Sequence, residues 1–222
     1  IPITLILVIS LTGVALIGYE TYYKAPPIPD FVSESGESVF SQEDILDGQA
    51  VFQKYALMEY GSMFGDGANR GPDYTAEALH QVAYYMREFY ANQPDMTKMA
   101  WLGANTQVQR EIKENKYSQS SNQTKLTAAQ VYACEQLTIY YLDIFRGNGK
   151  KSFAPANYIK TDVEIKQLSA FFYWGSWVCG VERPGKDYSY THNWPYDPDA
   201  GNTPSPSVII WTIIGSLGLM LG

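Results

Sequence analysis

Hydrophobic and polar positions divide this chain into two apolar ends and a mixed middle. Residues 1–19 carry no charge, and Ile1 to Gly18 has only Thr and Ser as polar members. At ~1.5 Å per residue such a run gives a helix of roughly 28 Å, close to the hydrocarbon thickness of a bilayer. Tyr19-Glu-Thr-Tyr22-Tyr23-Lys24 then forms an aromatic and charged border of the kind found at a membrane interface. A transmembrane helix over 1–19 is predicted. A secretory signal core is the alternative, and neither a basic preceding segment nor a small-residue cleavage site supports it. Residues 208–222 form a second uncharged run, with Gly215, Gly218 and Gly222 spaced for close helix packing in lipid. They read as the start of a second, truncated span, with both chain ends expected to be cuts in a longer protein.

The middle has helical periodicity. Residues 20–40 read as an extended proline-rich linker, from the run Lys24-Ala-Pro-Pro-Ile-Pro-Asp30. Ser41-Gln-Glu-Asp44 is a capping box that opens a first helix, with Ile45, Phe52 and Ala56 on one face. A second helix is predicted from Thr75 to Ala91, with Leu79, Val82, Ala83, Met86, Phe89 and Tyr90 recurring at helical spacing. A third runs from Thr127 to Phe145, closed by Gly147-Asn-Gly149, with Val131, Cys134, Tyr141, Leu142 and Phe145 inward. A fourth spans Thr161 to Val178, with Asp162 and Glu164 in its first turn. A weaker helix covers Thr106 to Asn115, and Asn115 to Leu126 reads as a loop or short hairpin. No strand pattern stands out and no internal repeat occurs. The helical domain is expected over 41–185, followed by an aromatic and proline-rich linker over 186–207.

Composition sharpens this division. All 16 Lys+Arg and 23 Asp+Glu lie between the apolar ends, giving a net charge of -7, while 45% of residues are apolar. So apolar a chain has material for a packed core, and an acidic chain without a basic block offers nucleic acid little. Cys134 and Cys179 stand outside any Cys-x-x-Cys pair, so spacing leaves a disulfide and two buried thiols both open, with thiols preferred. There is no phosphate-cradling glycine loop, nucleophile elbow or zinc spacing. The aromatic stretch from Asp187 to Asp199 has the content of a carbohydrate or quinone platform, but an interfacial linker accounts for Trp194 and Tyr196 more simply.

Gly48-Gln-Ala-Val51-Phe52-Gln-Lys-Tyr55-Ala-Leu-Met58-Glu59-Tyr60 resembles the N-terminal helix of a small c-type cytochrome. There the helix leads into Cys-x-x-Cys-His, whose cysteines anchor the haem and whose histidine ligates it. Here Tyr55, Met58 and Glu59 occupy those three positions, so covalent haem is excluded. Tyr55, Met58 and Tyr60 are expected to be ordinary core residues. Gly71-Pro72 resembles the Gly-Pro beside the haem of that fold, and bulky side chains, many of the 18 tyrosines among them, are expected to fill the vacated space.

Longer stretches carry a closer resemblance. Tyr22-Tyr23-Lys-Ala-Pro-Pro-Ile-Pro-Asp30, Leu57-Met58-Glu59-Tyr60-Gly61-Ser62-Met-Phe64-Gly65-Asp-Gly67-Ala68 and Gly71-Pro72-Asp73-Tyr74-Thr75-Ala76-Glu77 are similar to the N-terminal region of quinol-dependent nitric oxide reductases. So are Tyr188-Ser-Tyr190-Thr-His192-Asn193-Trp194-Pro195-Tyr196-Asp-Pro198 and the following Ala200-Gly201-Asn202-Thr203-Pro204. The resemblance implies a mainly α fold: a transmembrane helix, a periplasmic cytochrome c-like domain without covalent haem, and the start of a second span. It also implies that this segment caps a membrane bundle reducing two NO, with two electrons and two protons, to N2O and water. That bundle would hold two haem b, a non-haem iron and calcium, and would meet lipid and quinol in a bacterial or archaeal inner membrane. No nucleic-acid partner is expected, and a homodimer is compatible with the family.

Catalytic residues are expected outside this chain, because His80 and His192 are too few for two haems and an iron centre. Both read as structural or surface histidines. In related cytochrome c-dependent enzymes a loop matching Gly65-Asp-Gly67-Ala68-Asn69 reaches a calcium beside the haem propionates. The resemblance therefore suggests the Gly67 carbonyl and Asn69 as calcium contacts, with a plain glycine turn as the alternative, and Arg70 as a propionate partner. Two rival functions stay open on the sequence. One is the same front end on a nitric oxide dismutase making N2 and O2, and the other is an anchored binding or sensor module.

Overall fold

The computed structural model describes residues 3–67, 70–92, 98–147 and 153–221, with the side chains of 98–102 excepted. Helix α1, Ile3–Tyr23, buries none of its residues and is long and apolar enough to cross a membrane. Its counterpart near the other end, α7, Pro206–Leu221, is also apolar and unburied but shorter. Pro206 opens α7, where its missing N–H costs no intrahelical bond.

Among the described residues, five α-helices build the domain between them: α2 Gln42–Lys54, α3 Tyr74–Ala91, α4 Lys98–Lys113, α5 Ala128–Arg146 and α6 Asp162–Gly180. Their starts follow from side-chain chemistry. Ser41, Thr127 and Thr161 each accept from the third helical amide, and Asp44, Gln130 and Glu164 return the bond to the cap backbone. Each capping box satisfies helix-end donors that would otherwise lack partners. Asp73 caps α3 in the simpler one-way manner. The weak helix expected at 106–115 extends further back, to Lys98, with Ala104, Val108 and Ile112 as its buried stripe.

A small sheet forms from segments in which no strand pattern stands out in the sequence. Strands β1 Asp30–Ser33, β2 Ser38–Phe40, β3 Tyr117–Ser118 and β4 Gln123–Leu126 align in the order β2-β1-β4-β3. β1 runs parallel to β4, pairing Asp30 with Gln123 through Ser33 with Leu126, while both flanking pairs are antiparallel. Strands of two to four residues are too short to display an alternating pattern, and the central pairing joins distant parts of the chain. The hairpin reading of 115–126 holds. The stretch expected as extended linker is tied down as well: Trp174 Nε1 donates to the Pro27 carbonyl at 2.9 Å, and Pro29 is buried.

The core lies where α2, α3 and α5 converge on α6. The α2–α6 contact is the most extensive between helices. It depends on Gly48, where an added Cβ would lie 2.0 Å from the Gln167 carbonyl oxygen and 2.8 Å from Phe171 Cβ. Above this crossing Tyr74 stacks on Phe172 at 4.5 Å and 7°, and Tyr141, Phe52 and Phe153 close round the pair. Cys134 and Cys179 are free thiols, both buried. Burial pushes the Cys179 thiol up to about 12 and that of Cys134 further.

Candidate functional site

Two places bear on the expected chemistry: the end of α2, where a cytochrome would attach its haem, and the layer where residues 61–67 and 70–73 meet the loop over 182–205.

At the end of α2, Ala56 adopts a left-handed conformation (φ 46°) that breaks the helix. The short 3-10 turn Leu57–Glu59 then points Leu57 inward and leaves Met58 and Glu59 exposed. This corrects two expectations: Ala56 is outside the helix, and Met58, 65% exposed, is not a core residue. Tyr55 is half-buried and acts as a tether. Its hydroxyl donates to Glu164 Oε2 at 3.1 Å and accepts from the Lys160 amide at 3.3 Å, while Tyr158 donates to its carbonyl at 2.8 Å. Lys54 Nζ reaches the other oxygen of Glu164 at 2.6 Å. The residues there do not fit covalent haem: a tyrosine hydroxyl and a thioether methyl cannot form thioether links, and the described interior beside them is occupied by Tyr74 and Phe172. Tyr60 is half-buried and packs edge-on against Tyr158.

The second place is organised by Asp73. One carboxylate oxygen accepts from Ser62 Oγ at 2.8 Å and the Gly65 amide at 2.7 Å, and the other from the Ala76 amide at 3.0 Å. One side chain thus caps α3 and holds the glycine loop against it. Gly65 has φ +82°, and a Cβ there would lie 2.9 Å from the Trp194 indole, so both backbone and space require glycine. Gly67 has φ +85° and open space beside it. Asn69 lies outside the described residues. Arg70 is exposed, and none of the ion pairs among the described residues uses it. The structure thus brings Gly67 and Arg70 to the outside of a loop anchored at the start of α3.

Over this loop lies the Asn-Trp-Pro-Tyr-Asp-Pro stretch, whose Asn193 and Asp197 have structural partners. Lys113 Nζ, at the end of α4, donates to Asn193 Oδ1 at 3.0 Å and to Asn202 Oδ1 at 2.6 Å. Burial pushes the Lys113 ammonium down to about 8, against the opposing influence of Glu182. Asn202 is fully buried and donates to the Pro195 carbonyl at 2.6 Å. His80 on α3 meets Asp197 at 3.0 Å, and Arg87, two turns on, pairs with Asp199 at 2.9 Å. His192 stacks on Tyr188 at 4.3 Å. Both histidines therefore hold the return loop, as a structural reading expects. The Lys113–Asn193–Asn202 knot is not visible in the sequence, although two asparagines in an aromatic loop are a signal that something buried needs partners.

A buried carboxylate also escapes the sequence pattern. Glu111 of α4 accepts from Tyr90, Gln107 and Thr127 Oγ1, so a charged residue on the apolar face binds α3, α4 and the start of α5 together. None of these groups is arranged as a nucleophile with its base.

No curated protein matches the chain. A family model for the cytochrome c-like domain of the nitric oxide reductase NorB does match, over residues 29–196. That span runs from the start of β1 through α6 and the Lys113-anchored return loop to Tyr196, and it includes Gly48, Tyr55, Asp73 and Trp194. The chain belongs to the NorB family of nitric oxide reductases, through its cytochrome c-like domain.

Proposed function

We propose that this chain is the membrane-anchored front part of a quinol-dependent nitric oxide reductase, whose domain caps the haem-bearing bundle on the periplasmic side without itself carrying haem. Tyr55 is the observation that carries this reading. It stands at the first attachment position of a cytochrome and spends its hydroxyl joining α2 to α6. Quinol as donor fits a domain without a Cys-x-x-Cys-His sequence to anchor a haem, since electrons arriving from a soluble carrier would need a relay here. The reaction, 2 NO + 2 e- + 2 H+ to N2O and H2O, then belongs to the bundle. This chain's residues exclude water above it and fix the geometry of the loop nearest the membrane.

In the same reading Gly67 offers a backbone carbonyl to calcium and Arg70 a guanidinium to a haem propionate. An open left-handed glycine, close to an exposed arginine that no described ion pair uses, supports both roles. Calcium held there would supply fixed positive charge to neighbouring carboxylates. The Asp73 clamp on Gly65 is what would hold Gly67 at the required height.

The test uses the full-length enzyme in its membrane. Quinol-driven NO consumption with N2O as product, together with a haemochrome spectrum showing b-type and no c-type haem, is the expected outcome. A c-type signal from this polypeptide would sink the haem-free domain. Release of O2 and N2 without added quinol would replace the reductase by a dismutase, and production of neither N2O nor O2 would leave the anchored binding module.

A further inference from the structure

A basic cleft lies between the end of α1 and the return loop, and the roles above leave its cations Lys24, Arg183 and Lys186 unused. Its volume is about 430 Å³, and Lys24, Arg183, Lys186, Tyr188 and His192 line it, with no carboxylate among the lining residues. In a chain of net charge -7, three formal cations around one cleft are a local reversal of sign. Lys24 follows directly on α1, and His192 also lines a hollow against the first turns of α7, with Val208 and Trp211. The cleft thus lies beside the exit of α1 and shares His192 with the hollow at the entrance of α7. Tyr19, Tyr22 and Tyr23 mark the same level on α1 as the polar edge of a bilayer.

The arginine is pre-set. Its Nη2 donates to the Lys24 carbonyl at 2.7 Å, and its guanidinium lies 4.7 Å from the Tyr190 ring centre. These contacts fix the plane of the group, while Nε is buried with no hydrogen-bond partner among the described residues. Lys24 is paired with Glu20 one turn back on α1, so its charge is partly balanced. Lys186 is exposed at the rim, in a turn closed by its amide donating to the Arg183 carbonyl at 3.0 Å.

We propose that this cleft binds the phosphate of an anionic phospholipid headgroup and so sets the height of the domain over the membrane. The inference rests on α1 being a membrane span. A guanidinium fixed in plane and an exposed ammonium lining one cleft beside the exit of α1 are suited to a phosphate that arrives laterally in the bilayer. Free phosphate shares that chemistry but lacks the acyl chains that α1 and α7 would contact.

The test follows the thermal midpoint of the full-length protein in detergent as short-chain phosphatidylglycerol, phosphatidylcholine or inorganic phosphate is added. Phosphatidylglycerol should raise the midpoint saturably, because a ligand of the native state stabilises it, and the other two should not. Lys186→Gln should leave the lipid-free midpoint unchanged and weaken the apparent affinity for phosphatidylglycerol about fivefold. Arg183→Gln should weaken it further. Equal shifts from phosphatidylcholine, equal shifts from inorganic phosphate, or an unchanged titration in Lys186→Gln would each overturn the proposal. Flotation with pure phosphatidylcholine vesicles tests the span separately. A protein that fails to float loses the span, whereas one that floats but shows no phosphatidylglycerol preference loses only the cleft.

Discussion

Lys113 shows how a single residue can be fully determined by chemistry and still be invisible in sequence. It sits at the end of an amphipathic helix, where a lysine is ordinarily a solvated end charge, yet it is folded under the return loop and held by Asn193 and Asn202. Its native pKa, about 8, lies below the ordinary 10.5, so the native state releases its proton first. Below pH 8 the desolvated ammonium is a constant cost. From about 8 to 10.5 the unfolded chain binds a proton that the native chain has lost, so stability rises with pH across that window. The buried thiols of Cys134 and Cys179 act in the opposite sense over part of that range, so the signature is a difference: in denaturant titrations at closely spaced pH values, the stability of the wild type relative to Lys113→Gln should rise from about pH 8 to 10.5. A pH-independent difference contradicts the assignment. Tyr55 is the opposite case: its failure as a haem anchor was legible from identity alone, because a phenol cannot replace a thiol. Its bond to Glu164 was not, since Glu164 lies in a different helix.

Among the elements, the helices were the legible part. Ser41, Thr127 and Thr161 announce their helices because the capping interaction is local, complete within four residues. The sheet was illegible for the converse reason. β1 finds its parallel partner in β4, and neither strand has the length to show period two. The α2–α6 contact falls between these cases. Gly48 could be seen as a small residue on a helix, but what it admits, the Gln167 carbonyl and Phe171, is a tertiary fact. Gly48→Ala should therefore destabilise the domain. The gain in helix propensity is about 1 kcal/mol, whereas overpacking against backbone at such a distance costs about 3 kcal/mol. Chemical denaturation should show a net loss near the difference, and a stabilised variant would mean the helices part more easily than their packing implies.

For the whole molecule, the two apolar helices and the acidic domain between them are two phases of one chain. The domain is closed by pairings between its early and late parts: β1 with β4, α2 with α6, and Trp174 with the Pro27 carbonyl. Such closure predicts one cooperative transition. Tryptophan emission, dominated in the core by Trp174 and Trp177, and far-ultraviolet dichroism of the helices should share one midpoint in denaturant. Two separated midpoints would show that the α3–α5 layer and the α2–α6 pair unfold independently.

The sequence by itself determined what depends on local periodicity, short-range capping and residue identity. These are the uncharged ends, the four main helices, the lack of anchoring thiols at Tyr55 and Met58, and the family. The tertiary structure decided what depends on partners far along the chain. It made a four-stranded sheet from segments too short to show themselves and turned Met58 outward through the left-handed Ala56. It also buried Lys113 under two asparagines and gathered Lys24, Arg183 and Lys186 around one cleft. Side-chain type sets what chemistry is available, but burial and partnership, which set its strength, exist only once distant segments meet.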